Sequence, residues 1–346
     1  MTEAPESPAE HPLSAAKLSF VAQSAFYNSD TIRYLPPLTD VAQLPIAQCY
    51  LNPGQSWLGG MWSSYFTSVA KAAERMIVTI PLLVGQGWHV GAPGWIGPQG
   101  RTMSPQSPTD KTGSGNAPTL MTLADVAAGK WDAMWTPTAK AIAKVRPDAE
   151  PRIGWERYGN WYAWGGPANA AEERAAYQHV VDLFREVSPQ FRFIWDGGAV
   201  TGSGFNPVDP VTGSYPGDAY VDMIAADVYD SSPHATGPWG AQGWAANASG
   251  GLPYIERGYA FARAHGKPFC IPEFGTLGTV QGALAGGAFG GGDDLPWIQA
   301  IVNWLQTAPG IDFGMYWDDP STPGGGFKSA PLIAAWLGPV LRSYGA

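Results

Sequence analysis

Two of the eleven glutamates in this chain stand where a carboxyl group does chemistry more readily than it solvates a surface. Glu156 follows Arg152-Ile153-Gly154-Trp155, and Glu273 follows Pro268-Phe269-Cys270-Ile271-Pro272, so each closes an apolar, strand-like run. A carboxylate buried at such a point is costly unless it is paired or used. Glu156 has Arg152 and Arg157 beside it, which leaves a structural ion pair open as its alternative role; Glu273 has no arginine near it in sequence. The other glutamates look ordinary. Glu3, Glu6 and Glu10 lie in the N-terminal tail, and Glu74, Glu150, Glu172, Glu173, Glu186 and Glu256 sit on or beside helical stretches, where solvated surface is expected. Two carboxyls facing each other suit hydrolysis of a glycosidic bond. One, protonated, donates to the leaving oxygen, while the other, ionised, attacks the anomeric carbon, and their surroundings must push their pKa values apart.

Eight apolar runs bounded by turn signals read as strands: 18–23, 46–51, 76–83, 152–155, 191–196, 223–229, 268–272 and 311–317. Most lack alternation, as expected of strands buried on both faces. Between them, helical spacing predicts helices over 62–75, 123–128, 131–145, 170–187, 252–265 and 297–307, with a last helix over 331–341. Asp293-Asp294 supply an N-cap for the sixth of these, and Gly266 a C-terminal stop for the fifth. Eight strands alternating with helices predict an α/β fold, a single (β/α)8 barrel over 16–346 behind a disordered tail at 1–15. The long Gly/Pro/Ser-rich loops at 85–118, 197–217, 231–251, 275–292 and 318–327 all follow strands, on the face where barrel active sites form. On this count Glu156 ends the fourth strand and Glu273 the seventh, on different sides of the mouth.

Several other chemistries find no support. The histidines at 11, 89, 179, 234 and 265 show no metal-binding spacing, so no metal is expected. No phosphate-cradling glycine motif follows an early strand, and no cofactor is expected. Cys49 and Cys270 both lie in apolar runs and read as buried free thiols. The net charge is -9 without a Lys/Arg cluster, so neither nucleic acid nor an anionic membrane is an expected partner. No segment is long and apolar enough to span a bilayer, and residues 1–12 are acidic and Pro-rich, unlike a signal peptide. The compartment stays open. Sixteen Trp and 44 Gly against 14% charged residues suggest aromatic platforms beside tight loops, as in a sugar-binding cleft, or else a large aromatic core. Asn247-Ala248-Ser249 matches a glycosylation acceptor.

With these residues in view, the chain resembles glycoside hydrolase family 26. Arg152-Ile-Gly-Trp-Glu156 with Gly159-Asn-Trp161-Tyr-Ala-Trp164 is similar to that family's acid/base segment, roughly R-x-G-x-E-x-N-G-x-W-x-x-W. Ala128-Gly129-Lys130-Trp131-Asp132 resembles a G-x-Y/W-D helix start upstream. Phe191–Trp195, Tyr215–Asp218 with Asp227-Val-Tyr229-Asp230, Gly266–Pro268 with Pro272–Gly275, Gly291–Asp294 and Tyr316-Trp317 follow in order. The likeness covers roughly residues 120 to 320.

The resemblance implies a retaining β-glycosidase on a (β/α)8 barrel, β-mannanase-like and endo-acting, with Glu156 as general acid/base and Glu273 as nucleophile. Retention requires the carboxyls to stand about 5–5.5 Å apart. It also implies a substrate-binding set. Tyr229 is placed to donate to Glu273, or is a core tyrosine. Trp317 stacks on the sugar, or is a buried structural Trp. Trp155, Trp161 and Trp164 lie beside the acid/base position, the last two as candidates for flanking subsites. Arg152 contacts a catalytic Glu or fills the barrel interior, and Asp227 braces the site or binds a sugar hydroxyl. Trp57, Trp88 and His89 lie on loops within reach of a cleft. Two positions depart from many mannan-degrading members: Trp155 stands for His, and Tyr158 for Asn. They flank the reacting sugar in relatives, so the departures bear on the sugar more than on the reaction. The expected partner is thus a polysaccharide or oligosaccharide acted on by a monomer. The competing readings are a transglycosylase on the same site and a non-catalytic carbohydrate-binding barrel, which would need neither Glu.

Overall fold

A computed structural model describes residues 17–22, 44–51, 70–71, 73–83, 121–157, 164–165, 170–197, 213–230, 244–246, 251–276, 293–318 and 330–344. Its strands are β1 (Lys17–Ala22), β2 (Leu44–Tyr50), β3 (Ala73–Ile80), β4 (Glu150–Ile153), β5 (Ile194–Asp196), β6 (Met223–Ala225), β7 (Val228–Asp230), β8 (Phe269–Thr276) and β9 (Ile311–Asp318). All pair in parallel, in the spatial order β1-β9-β8-β6-β5-β4-β3-β2, with β7 also on β8. β6 and β7 are two halves of one strand broken at Ala226-Asp227, so nine segments fill eight positions. The sheet curls until β1 and β2, the ends of this order, run side by side. The architecture is the (β/α)8 barrel that the strand count predicts.

The described helices are α1 (Leu123–Ala127), α2 (Asp132–Val145), α3 (Ala170–Val187), α4 (Leu252–Ala264), α5 (Leu295–Thr307) and α6 (Pro331–Tyr344). Helix α3 shows why they pack outside the sheet: Ala176, Tyr177, Val180, Val181 and Phe184 recur at helical spacing and are fully buried. Asp294 caps α5 through the Trp297 N–H at 3.2 Å, so the helix begins at Leu295, earlier than the spacing alone predicts. Gly266 stops α4 in the left-handed region at φ +63°.

Some boundaries differ. The helix predicted over 62–75 ends sooner, because Ala73 already begins β3; of the stretch before β3 only Ala70 and Lys71 are described. The fifth strand starts at Ile194, since the Phe193 N–H is taken by the Asp222 carboxylate at 2.7 Å. Glu150 and Glu173, expected on solvated surface, are buried and paired, with Arg75 and Arg157 respectively. Arg75 also reaches Asp312 at 2.6 Å, which ties the N-terminal ends of β3, β4 and β9 together. Cys49 and Cys270 are buried free thiols, as expected. No helix among the described residues is long and apolar enough to cross a membrane. The tail at 1–15, most of the long loops, Trp57, Trp88, His89 and Asn247 lie outside the described residues.

Candidate active site

The register of the sheet assembles the site. Tyr50 on β2 pairs with Thr79 on β3, and Thr79 with Arg152 on β4, so these residues share one level near the C-terminal ends of their strands. Glu273 sits inside β8 rather than after it. There Ile271 pairs with Gly314 and Phe274 with Tyr316, so β8 spends three residues where β9 spends two. Such a bulge re-aims a side chain, and the Glu273 carboxylate arrives beside Tyr50 and Arg152.

Three donors hold it. The Tyr50 hydroxyl donates to Oε1 at 2.5 Å, Arg152 Nη1 to the same oxygen at 2.7 Å, and the Tyr229 hydroxyl to Oε2 at 2.8 Å. The direction of the Tyr50 proton follows from its neighbours. A hydroxyl has one donor and two acceptor sites. Gln48 Nε2 and Arg152 Nη1 both donate to this oxygen, which leaves its proton for Glu273. Burial, and next the charge of Glu273, raise the pKa of Tyr50 and of Tyr229, so both keep the protons they donate. This donor set suits an ionised, acceptor-only carboxylate.

Arg152 is fully buried and is the hub. Its Nε donates to Asp196 Oδ2 at 3.0 Å, and Nη2 contacts both Asp196 and Asp227. Glu156, Asp227 and Glu273 each place a carboxylate oxygen within 4.8 Å of the others. Three carboxyls so close could hold a divalent cation; here the Arg152 guanidinium lies against two of them and supplies positive charge. One guanidinium does not balance so many carboxylates. Burial pushes the Asp227 carboxyl well above the usual range; Arg152 opposes this, and Glu273, Asp196 and Glu156 add to it.

Glu156 lies on a turn of unusual backbone. Gly154 has φ +60° and Glu156 has φ +48°, the one positive value outside glycine among the described residues. A left-handed conformation costs a residue other than glycine roughly 1–2 kcal/mol. The Glu156 N–H donates to Asp196 Oδ2 at 3.0 Å and the Arg157 N–H to the Asp196 carbonyl at 3.3 Å, so β5 fixes the turn. A Cβ on Gly154 would meet Leu82, Arg157 and Trp164 at 3.2–3.3 Å, tight contacts that add to the strain of φ +60° for any larger residue there. Glu156 itself is half-buried.

The expected binding residues divide. Tyr229, Asp227 and Arg152 converge on Glu273 as described. Trp317 is half-buried beside Tyr50, with ring centroids 5.5 Å apart, at the rim of the same cluster. Trp155 and Trp164 are buried beside it: each is only 2% exposed, they pack against each other at 4.8 Å, and the Trp164 indole N–H donates to the Trp155 carbonyl. They are the apolar support behind the Glu156 turn. Trp161 lies outside the described residues. Tyr50, Gln48 and Asp196 were not singled out from sequence, and Glu273 gains in space the arginine it lacks in sequence.

The model of Glycosyl hydrolase family 26 matches residues 151–241. A mannan endo-1,4-beta-mannosidase of Bifidobacterium adolescentis is 25% identical over 188 residues, 53% of this chain and 17% of the relative. Endoglucanase H of Acetivibrio thermocellus is 28% identical over 195 residues, 53% of this chain and 19% of that one. The chain thus spans less than a fifth of the length of these curated relatives. Among solved structures, a GH26 beta-mannanase from Bacteroides ovatus superposes with a TM-score of 0.56 at 14% identity, covering 96% of this chain and 89% of that one. A Cellulomonas fimi endo-beta-1,4-mannanase double mutant gives 0.55 at 18% identity, covering 96% and 71%. At such identities the likeness is one of fold.

Proposed function

We propose, on the premise that this chain is a family-26-like (β/α)8 protein, that it is a glycoside hydrolase cleaving β-linked polysaccharide by double displacement. The observation that carries the reading is that Glu156, on the turn after β4, and Glu273, within β8, bring carboxylate oxygens within 4.8 Å of each other. Nearest oxygens within that limit favour the close pair of retaining enzymes, with carboxyls ~5–5.5 Å apart, over the ~6.5–9.5 Å that leaves room for a water between them. Glu273, ionised among three donors, attacks the anomeric carbon and forms a glycosyl ester. Glu156 protonates the departing oxygen, then takes a proton from the water that cleaves the ester. Arg152, Tyr50 and Tyr229 hold Glu273 at its angle of attack. Asp227 braces Arg152 beside Glu273 and lies close enough to the pair to meet a sugar hydroxyl.

The substrate class follows from the relatives' names, one for mannan and one for endoglucanase action. We take β-mannan as the first candidate polymer. Trp155, buried where many mannan-degrading members carry His, puts other β-glycans next. The test is release of reducing ends from β-mannan, glucomannan, mixed-linkage glucan, xylan and a bacterial exopolysaccharide by the native protein and Glu273→Ala. Cleavage of one polymer by the native protein alone supports the reading and identifies the substrate. Equal cleavage by both proteins removes Glu273 from the nucleophile's role. Binding of a polymer without cleavage by either makes the chain a carbohydrate-binding barrel.

A further inference from the structure

Glu156 holds a left-handed backbone that its side chain does not favour, so something outside it must hold the turn. The Asp196 contacts fix its N–H side. On the other side, Arg157 Nη2 donates to the carbonyls of Ile153 and Gly154 at 2.7 and 3.0 Å, gripping the two peptides that lead into the turn. This guanidinium is only 1% exposed and lies over the rings of Tyr177 at 4.9 Å and Trp195 at 5.5 Å. Its charge is met by Glu173, which reaches in from the first turn of α3 and is as deeply buried. An arginine adjacent in sequence to Glu156 has thus turned away from it, into the barrel wall. A buried ion pair is seldom worth keeping for stability, since apolar residues of similar volume often serve as well; its use here is the fixed geometry it imposes.

We infer that Arg157, anchored by Glu173, is a positioning residue that aims Glu156 by clamping the Ile153 and Gly154 carbonyls. The inference rests on the proposed role of Glu156 as acid and base. It links α3 to the reaction through one ion pair, and it assigns to two residues outside the reacting cluster an effect specific to proton transfer. Arg157 and Glu173 touch no substrate in this arrangement; they act through the turn.

The test uses the double variant Arg157→Met/Glu173→Leu, which replaces the pair by apolar groups and leaves no lone buried charge. Should it fail to fold, Glu173→Gln takes its place, keeping volume and a hydrogen-bonding group. kcat/KM is measured on the polymer, whose leaving group needs protonation, and on a dinitrophenyl β-oligosaccharide of the same sugar, whose leaving group does not. Loss of aim should cut polymer cleavage at least about ten-fold, part of the ~10²–10⁴-fold a general acid supplies, and leave the aryl substrate within about three-fold. An equal fall on both substrates, or none on either, overturns the inference. If the native protein cleaves neither substrate, the catalytic reading itself fails. The clamp is then judged by the crystal structure of the double variant: an unchanged positive φ at Glu156 overturns it, and relaxation to negative φ supports it.

Discussion

Tyr50→Phe removes a single oxygen from the centre of the cluster and leaves the ring. The edge-on contacts of that ring with Trp155 at 5.8 Å and Trp317 at 5.5 Å survive, so the change isolates the hydroxyl. What is lost is the 2.5 Å hydrogen bond to Glu273 Oε1 and the acceptor shared by Gln48 Nε2 and Arg152 Nη1. A hydrogen bond to a charged group contributes about 1.5–3 kcal/mol. At about 1.36 kcal/mol per decade of rate, the full bond corresponds to roughly 10- to 150-fold in kcat/KM. Arg152 at 2.7 Å and Tyr229 at 2.8 Å still hold the carboxylate, so the lower end is expected, about ten-fold. Stability falls as well. Gln48 keeps Thr79 at 3.0 Å but loses its second acceptor, and an unmet buried donor costs about 1–3 kcal/mol. The assays are initial rates on the polymer that the native protein cleaves, and thermal unfolding. A variant within two-fold of native kcat/KM would refute the claim that this hydroxyl orients Glu273.

Three further outcomes follow from the same contacts. Gly154→Ala meets three side chains at 3.2–3.3 Å with φ at +60°, and should lower stability by about 1–3 kcal/mol in urea unfolding. Arg152→Met leaves Asp196, Asp227 and Glu273 buried without their cation, and should cost about 3–5 kcal/mol or abolish soluble expression. Asp230 is raised to about 7 by burial and then by Asp294. A raised folded pKa means that its stabilising contribution is present at acid pH and lost as pH rises from about 4 through 7. Asp230→Asn should therefore raise Tm relative to native at pH 8, with a smaller difference at pH 5.

The barrel was legible because its strands are buried on both faces and read as continuous apolar runs. Six of the helical stretches were legible through spacing and caps, as at Asp294 and Gly266. The same rule that picked out Glu156 and Glu273, a polar residue closing an apolar strand, also fits Tyr50 at the end of β2 and Asp196 at the end of β5. Sorting the glutamates alone passed over both. The ion pairs were not legible. Arg152 meets Glu273 across 121 residues of sequence, through a register and a bulge that no local pattern encodes. Arg157 and Glu173 show the opposite failure: proximity suggested a partner for Glu156, and an amphipathic helix suggested a solvated Glu173, yet Arg157 turns into the barrel wall and Glu173 reaches in from α3 to meet it. Trp155 and Trp164 show a related ambiguity. A tryptophan beside such a carboxyl is as able to support its backbone as to stack on a sugar, and spacing in sequence does not show that the Trp164 N–H is bonded to the Trp155 carbonyl.

The anomeric configuration of the first product tests the two-carboxylate account most directly. The native protein is mixed with the polymer it cleaves, and ¹H NMR follows the newly formed reducing end before mutarotation. Carboxyl oxygens within 4.8 Å predict that the β-anomer appears first and the α-anomer grows in later. Appearance of the α-anomer first would mean inversion through a water between the carboxyls, and would contradict Glu273 as a nucleophile.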